Sequence, residues 1–218
     1  MAPVQFWFEF ASTYSYLAAM RIAGLAAERG VPFAWRPFLL GPIFARQGWN
    51  DSPYNLNPAR GAYMWHDVAR ASARLGIPFK KPSAFPRSSV LAARVACASE
   101  GEPWLPDYVR AVFVANFGND REISERIVVE EILQSIGQNA PSVIARAFAL
   151  GNKEKLREQT ELAWRSGVVG APSMIVGGEV FWGNDRLEEA FDWYSAHEGQ
   201  TAPDAVIPAS RDGFPVSE

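Results

Sequence analysis

Few side chains in this sequence are equipped for nucleophilic or acid–base work. There is one cysteine, Cys97, and there are two histidines, His66 and His197. The strongest chemical signal is Ser12. It follows the aromatic, mostly apolar run Gln5-Phe6-Trp7-Phe8-Glu9-Phe10 and opens the polar corner Ser12-Thr13-Tyr14-Ser15. Serine is a good N-cap residue, so the corner reads as a strand running into a helix. Such a corner presents free backbone N–H groups and the positive end of a dipole, a setting that suits an anion. As a nucleophile Ser12 would need a nearby base. His66 and His197 are remote in sequence, which argues against a serine hydrolase. The remaining chemical groups are Asn184-Asp185, where an amide and a carboxylate stand before a helical run and can cap it or bind a ligand.

The elements that must position these groups follow from hydrophobic spacing. Ser15 to Arg29 reads as a helix with Leu17, Met20, Ile22, Leu25 and Ala26 on its apolar face and Gly30 as its stop. Val31 to Phe38 reads as the next strand, so the chain opens with a β-α-β unit whose strands should be parallel. Residues 39–58 carry the turn chemistry of a long loop: Gly41-Pro42, Asn50-Asp51-Ser52-Pro53 and Asn55-Leu56-Asn57-Pro58. Helical signals then run from about Ala59 to Ser166. Ser173–Val176 and Glu179–Trp182 flank Gly177-Gly178 and read as a hairpin. Arg186 to His197 reads as a closing amphipathic helix, followed from Glu198 by a tail rich in Pro, Ser and Gly.

The order β-α-β, helical block, β-β-α fits an α/β chain with a thioredoxin-like fold and a large all-helical insertion. Residues 1–40 and 167–198 would form the thioredoxin-like domain, 41–166 the loop and insertion, and 199–218 the tail. In such a sheet Pro172 would face the serine corner as a cis-proline. An X-Pro bond alone favours trans, but the context reverses that preference. The cis form would turn the Ala171 backbone toward an extended, peptide-like ligand. A redox thioredoxin would carry cysteines at the corner. With serine there, dithiol exchange is impossible, but a thiolate supplied by a ligand can still be held.

Five segments carry a resemblance to a family: FEFASTYSYLA at 8–18, LLGPIF at 39–44, NPARGAYMWHD at 57–67, GVVGAPSMIV at 167–176 and FWGNDRLEE at 181–189. Together they resemble the 2-hydroxychromene-2-carboxylate isomerases, in the DsbA-like, kappa-class glutathione transferase group. The resemblance implies a homodimer with glutathione as cofactor and a small aromatic molecule as substrate. By it, Ser12 would be catalytic, holding and activating the glutathione sulfur, with Tyr14 in the same motif at the cofactor site. Ala171, before Pro172, would pair with the cysteinyl backbone. Asn184 and Asp185 would bind the γ-glutamyl end, the carboxylate meeting an α-ammonium. Asn50 and Asn55 would lie near the glycyl end or the substrate, and Arg60 matches a basic position of the family. One departure stands out. Family members often carry a lysine after the Ile-Phe of the loop, where this chain has Ala45 and then Arg46. Arg46 is the candidate substitute for that substrate-binding cation.

The implied chemistry is cis-trans isomerisation of an unsaturated aromatic keto acid by reversible thiolate addition, bond rotation and elimination. Trp49, Tyr54 and Trp65 would line the aromatic pocket. The rivals are a kappa-type transferase or peroxidase using the same site, and a thioredoxin-fold protein that binds a partner without catalysis. Bulk properties exclude other classes. With 48% hydrophobic and 21% charged residues the chain has a globular balance, not a disordered one. A net charge of −3 without a basic run argues against nucleic acid. No apolar stretch is long enough for a membrane span, and one cysteine excludes an intramolecular disulfide or a cysteine-rich metal site. The N-terminus lacks signal-peptide features, and a cytoplasmic location is the default expectation.

Overall fold

The computed structural model describes residues 1–197 and shows a four-stranded mixed sheet in the order β2-β1-β3-β4. Strand β1 (Val4–Phe8) pairs in parallel with β2 (Phe33–Pro37) and antiparallel with β3 (Ser173–Val176), which continues into β4 (Glu179–Trp182). The parallel β1–β2 pair and the Gly177-Gly178 hairpin are as the sequence predicts. Both hairpin glycines have positive φ. The aromatic alternation of β1 covers both faces of the sheet. Phe6 and Phe8 join Trp35 in one core. Trp7 points the other way and packs with Phe38, Ile43, Ala163, Val168 and Ile175.

The predicted helix from Ser15 to Arg29 is two helices, α1 (Thr13–Ala19) and α2 (Ile22–Arg29), broken at Met20 and Arg21. The guanidinium of Arg21 leaves the helical line to bind the far turn at Asn184 and Glu188. Residues 39–58 are not one loop. They contain α3 (Leu40–Arg46) and α4 (Pro53–Leu56). Helix α4 has a readable start, Ser52 capping with Pro53 at the first position. Helix α3 has none, because Leu39 offers no side-chain cap. Its first N–H, at Leu40, is taken by the Glu9 carboxylate at 2.9 Å, a partner 31 residues earlier.

The helical block holds α5 (Pro58–Leu75), α6 (Val90–Ala98), α7 (Leu105–Phe113), α8 (Arg126–Ser135), α9 (Ala140–Phe148) and α10 (Leu150–Arg165). A wider π turn, Val114–Gly118, extends α7. Residues from α5 to α9 share a continuous core with the sheet, while α3 and α10 cover the face that carries Trp7. A 3₁₀ turn, Asn184–Arg186, leads into α11 (Leu187–Ala196). This is a thioredoxin-like fold with helices inserted between β2 and β3. None of the described helices is long and apolar enough to cross a membrane. The tail expected from Glu198 lies outside the described residues.

Candidate functional site

The Ser12 corner opens into a cavity of about 1290 Å³. Its walls come from the corner itself, from α3 and the residues after it, from α5, from the Phe85–Val90 segment, and from the turns at Val169–Ala171 and Trp182–Asp185. Ser12 caps α1, its oxygen accepting the Ser15 N–H at 3.1 Å. Its hydroxyl donates to the Ala171 carbonyl at 2.9 Å, across 159 residues of sequence. The Ala171–Pro172 bond is cis, as expected. Ladder pairing in β3 begins at Ser173, so Ala171 stands beyond the end of the ladder.

Trp182 closes this side of the cavity. Its indole lies over Gly170, where a Cβ would collide with the ring nitrogen. Glycine is therefore required for the tryptophan to fold against the Ala171 turn. Asn184 and Asp185 also line the cavity. The turn before them depends on Gly183, at φ 120, where a Cβ would strike the Asp185 carboxylate.

Glu9 forms part of the cavity floor and is 4% exposed. Its carboxylate accepts from the Ala11 N–H at 3.2 Å and the Leu40 N–H at 2.9 Å, with the Ser89 hydroxyl also in reach. Burial pushes its pKa above the ordinary value of 4.5, outweighing those hydrogen bonds. This side chain explains why β1 ends early. Residues 9 and 10, expected in the strand, turn out of the sheet so that Glu9 can join the corner to the starts of α3 and α6. Tyr14 donates its hydroxyl to Asp67 on α5 at 3.0 Å. Burial first, and then that bond, hold its phenol protonated well above the usual range. The Tyr54 ring lies beside it, with centroids 6.4 Å apart.

Of the residues singled out from the sequence, Ser12, Tyr14, Asn50, Arg60, Ala171, Asn184 and Asp185 share this cavity. Pro172 stands behind it, its carbonyl accepting from the Gly183 N–H at 2.9 Å. Three expectations need correction. Arg46 does not reach the cavity. It is ion-paired with Glu161 on α10 and lies over the Trp164 ring at 5.7 Å, so it is drawn to the outer side of α3. Asn55 is not on the cavity wall either, because its amide bridges the Asp51 carboxylate and the Phe85 carbonyl. Trp65 packs against Phe85, with centroids 4.9 Å apart, whereas Trp49 and Tyr54 do line the cavity. The arginines on the wall are Arg60 and Arg74, both on α5, and the buried Arg87, while Ala45 lines it without charge.

Arg87 escaped notice in the sequence, where it is one arginine in a Pro- and Ser-rich stretch. Its guanidinium is buried and joins Asp120, Glu122 and Asn116. Arg21 escaped notice for a similar reason, sitting where a continuous helix was expected. Neither histidine lines the cavity. His66 is exposed and His197 stacks on Trp193. Cys97 is 1% exposed, and burial pushes its thiol up to about 11.

The family model of the DSBA-like thioredoxin domain matches residues 3–194. The chain belongs to this family. Among its relatives, the 2-hydroxychromene-2-carboxylate isomerase of Sphingobium xenophagum is 26% identical over 186 residues, covering 85% of this chain and 94% of that one. Human glutathione S-transferase kappa 1 is 25% identical over 199 residues, covering 85% and 87%. A solved structure of a 2-hydroxychromene-2-carboxylate isomerase superposes with a TM-score of 0.80 at 26% identity, covering 89% of this chain and 95% of that one. Within the DSBA-like family the chain is therefore 2-hydroxychromene-2-carboxylate isomerase-like in sequence and in fold.

Proposed function

We propose that the protein is a glutathione-dependent isomerase acting on an unsaturated aromatic keto acid of the 2-hydroxychromene-2-carboxylate type. The observation that carries this reading is the Ser12–Ala171 hydrogen bond at the cavity wall. Ala171 offers a carbonyl outside the sheet ladder, and a hydroxyl with a transferable donor bond stands against it. A cysteinyl backbone N–H arriving at Ala171 replaces the serine donor on that carbonyl and frees the Ser12 hydroxyl for the neighbouring sulfur. Asn184 and Asp185 supply an amide and a carboxylate on the same wall for the charged γ-glutamyl end. These residues fit glutathione. When bound there, it supplies a thiolate that adds reversibly to a conjugated double bond and so permits rotation.

The chain's own residues do the remaining work. The Ser12 hydroxyl donates to the sulfur and favours its anionic form. Phe44, Trp49, Tyr54, Phe85 and Trp182 give the cavity aromatic walls for a planar substrate. Arg60 stands on α5 to meet a substrate carboxylate, in place of the cation that the Ala45 position lacks. With neither histidine on the cavity wall, acyl-serine chemistry has no histidine base there.

The names of three curated relatives support the isomerase reading. Two relatives named glutathione S-transferase kappa 1 support a second one, transfer of glutathione to another electrophile at the same Ser12 corner. An assay with 2-hydroxychromene-2-carboxylate, run with and without glutathione, decides between them. Isomerisation that needs glutathione without consuming it supports the first reading. Consumption of glutathione with an alternative electrophile, and no isomerisation, supports the second.

A further inference from the structure

Arg21 occupies the break between α1 and α2 and reaches a turn 163 residues later in the chain. Its Nε donates to Asn184 Oδ1 at 3.1 Å, and its Nη2 donates to the Asn184 carbonyl at 2.7 Å and to Glu188 Oε2 at 2.9 Å. Its Nη1 completes a two-pronged pair with Glu188. One planar fork thus holds both oxygens of Asn184 and the first turn of α11.

Two consequences follow for the cavity wall. First, arginine has donors and no acceptor, so it fixes which end of the Asn184 amide faces it. The oxygen is taken, and the Nδ2 group is what Asn184 can offer a ligand. A donor amide beside the Asp185 carboxylate suits a group with both a carboxylate and an ammonium, as a free α-amino acid end has. Second, Arg21 stands one residue beyond the Met20 cap of α1, whose other end is capped by Ser12. A seven-residue helix is a stiff spacer of about 10 Å. The sulfur position and the amino-acid position are therefore set by one short helix and one guanidinium.

We propose that Arg21 is a positioning residue that holds the Asn184–Asp185 turn in register with Ser12, so that a thiol is accepted only when it carries a γ-glutamyl end. The inference rests on the glutathione reading above. It adds the residue that makes the site discriminate glutathione from shorter thiols.

The test compares the affinities of the full chain for glutathione and for cysteinylglycine, which lacks the γ-glutamyl group, by calorimetry. The wild-type protein prefers glutathione. Arg21→Gln lowers glutathione affinity about tenfold or more, leaves cysteinylglycine affinity unchanged, and so collapses the preference. Asn184→Ala does the same, and the double variant adds no further loss, because both act on one contact. Arg21→Lys keeps the charge but not the fork and is expected to lose most of the preference; it serves as the test if Arg21→Gln does not fold. An equal loss for both thiols, or an unchanged preference, overturns the inference while leaving the glutathione reading standing. If the wild-type protein binds neither thiol, both fall.

Discussion

The Ser12 oxygen has two partners in the folded chain, the Ser15 N–H and the Ala171 carbonyl, and a third role toward sulfur in the proposed function. Ser12→Ala removes all of them. Loss of the cap costs about 1 kcal/mol of stability. Loss of a donor to a developing or resident anion costs about 10² in rate. The expected result is a protein that still folds and still binds glutathione but turns over about a hundredfold more slowly at neutral pH. A steady-state assay together with a melting curve separates the two effects. Glu9 carries a different prediction. Its folded pKa is raised by burial, so the folded state holds its proton to higher pH than the unfolded chain does. Its contribution is fully present below about 4.5 and is lost as pH rises through the raised value. Glu9→Gln cannot ionise. Its melting temperature relative to wild type should therefore climb with pH above the ordinary carboxylate range. Parallel melting curves for the two proteins across pH would show that Glu9 titrates normally.

At the scale of elements, the two helices that could offer a cation to the substrate differ in which way they turn it. Helix α3 turns Arg46 outward to Glu161, and α5 turns Arg60 onto the cavity wall. Arg60→Ala should raise the KM for an anionic substrate about tenfold with little change in kcat, while Arg46→Ala should change neither by more than about twofold. A reversed pattern in the KM values would place the substrate carboxylate against α3. The turn before β3 gives a second test. Gly170→Ala drives a methyl group into the Trp182 indole. It should shift the indole fluorescence and weaken glutathione binding, with the fold retained because Trp182 is 59% exposed. Unchanged glutathione affinity in that variant would remove Trp182 from the binding wall.

Across the whole molecule, what could be read from the sequence was what local patterning encodes. The β1 aromatics, the Gly-Gly hairpin and the helical block all announce themselves by period and turn chemistry. The corner serine, Ala171 and Asn184-Asp185 line one cavity, with Pro172 behind it, and recognisable motifs carry all of them. What could not be read was set by partners far along the chain. Helix α3 starts where Glu9 caps it from β1, so residues 39–58 look like loop until the fold is known. The break at Met20 and Arg21 coincides with a contact from the Arg21 guanidinium to a turn 163 residues away, and no periodicity records that. Arg46 looked available because Glu161 lies on a helix 115 residues later. In each case a side chain with local freedom was claimed by a tertiary contact.

In the proposed function the Ser12 corner holds the thiolate of glutathione. The ultraviolet absorbance of thiolate, followed while glutathione is titrated into the protein at neutral pH, tests it most directly. Free glutathione is mostly thiol under those conditions. The expected result is a saturable thiolate band with the wild-type protein, and a band much reduced with Ser12→Ala at the same occupancy. Saturable binding with no thiolate band, or a band of equal size in the two proteins, would contradict it.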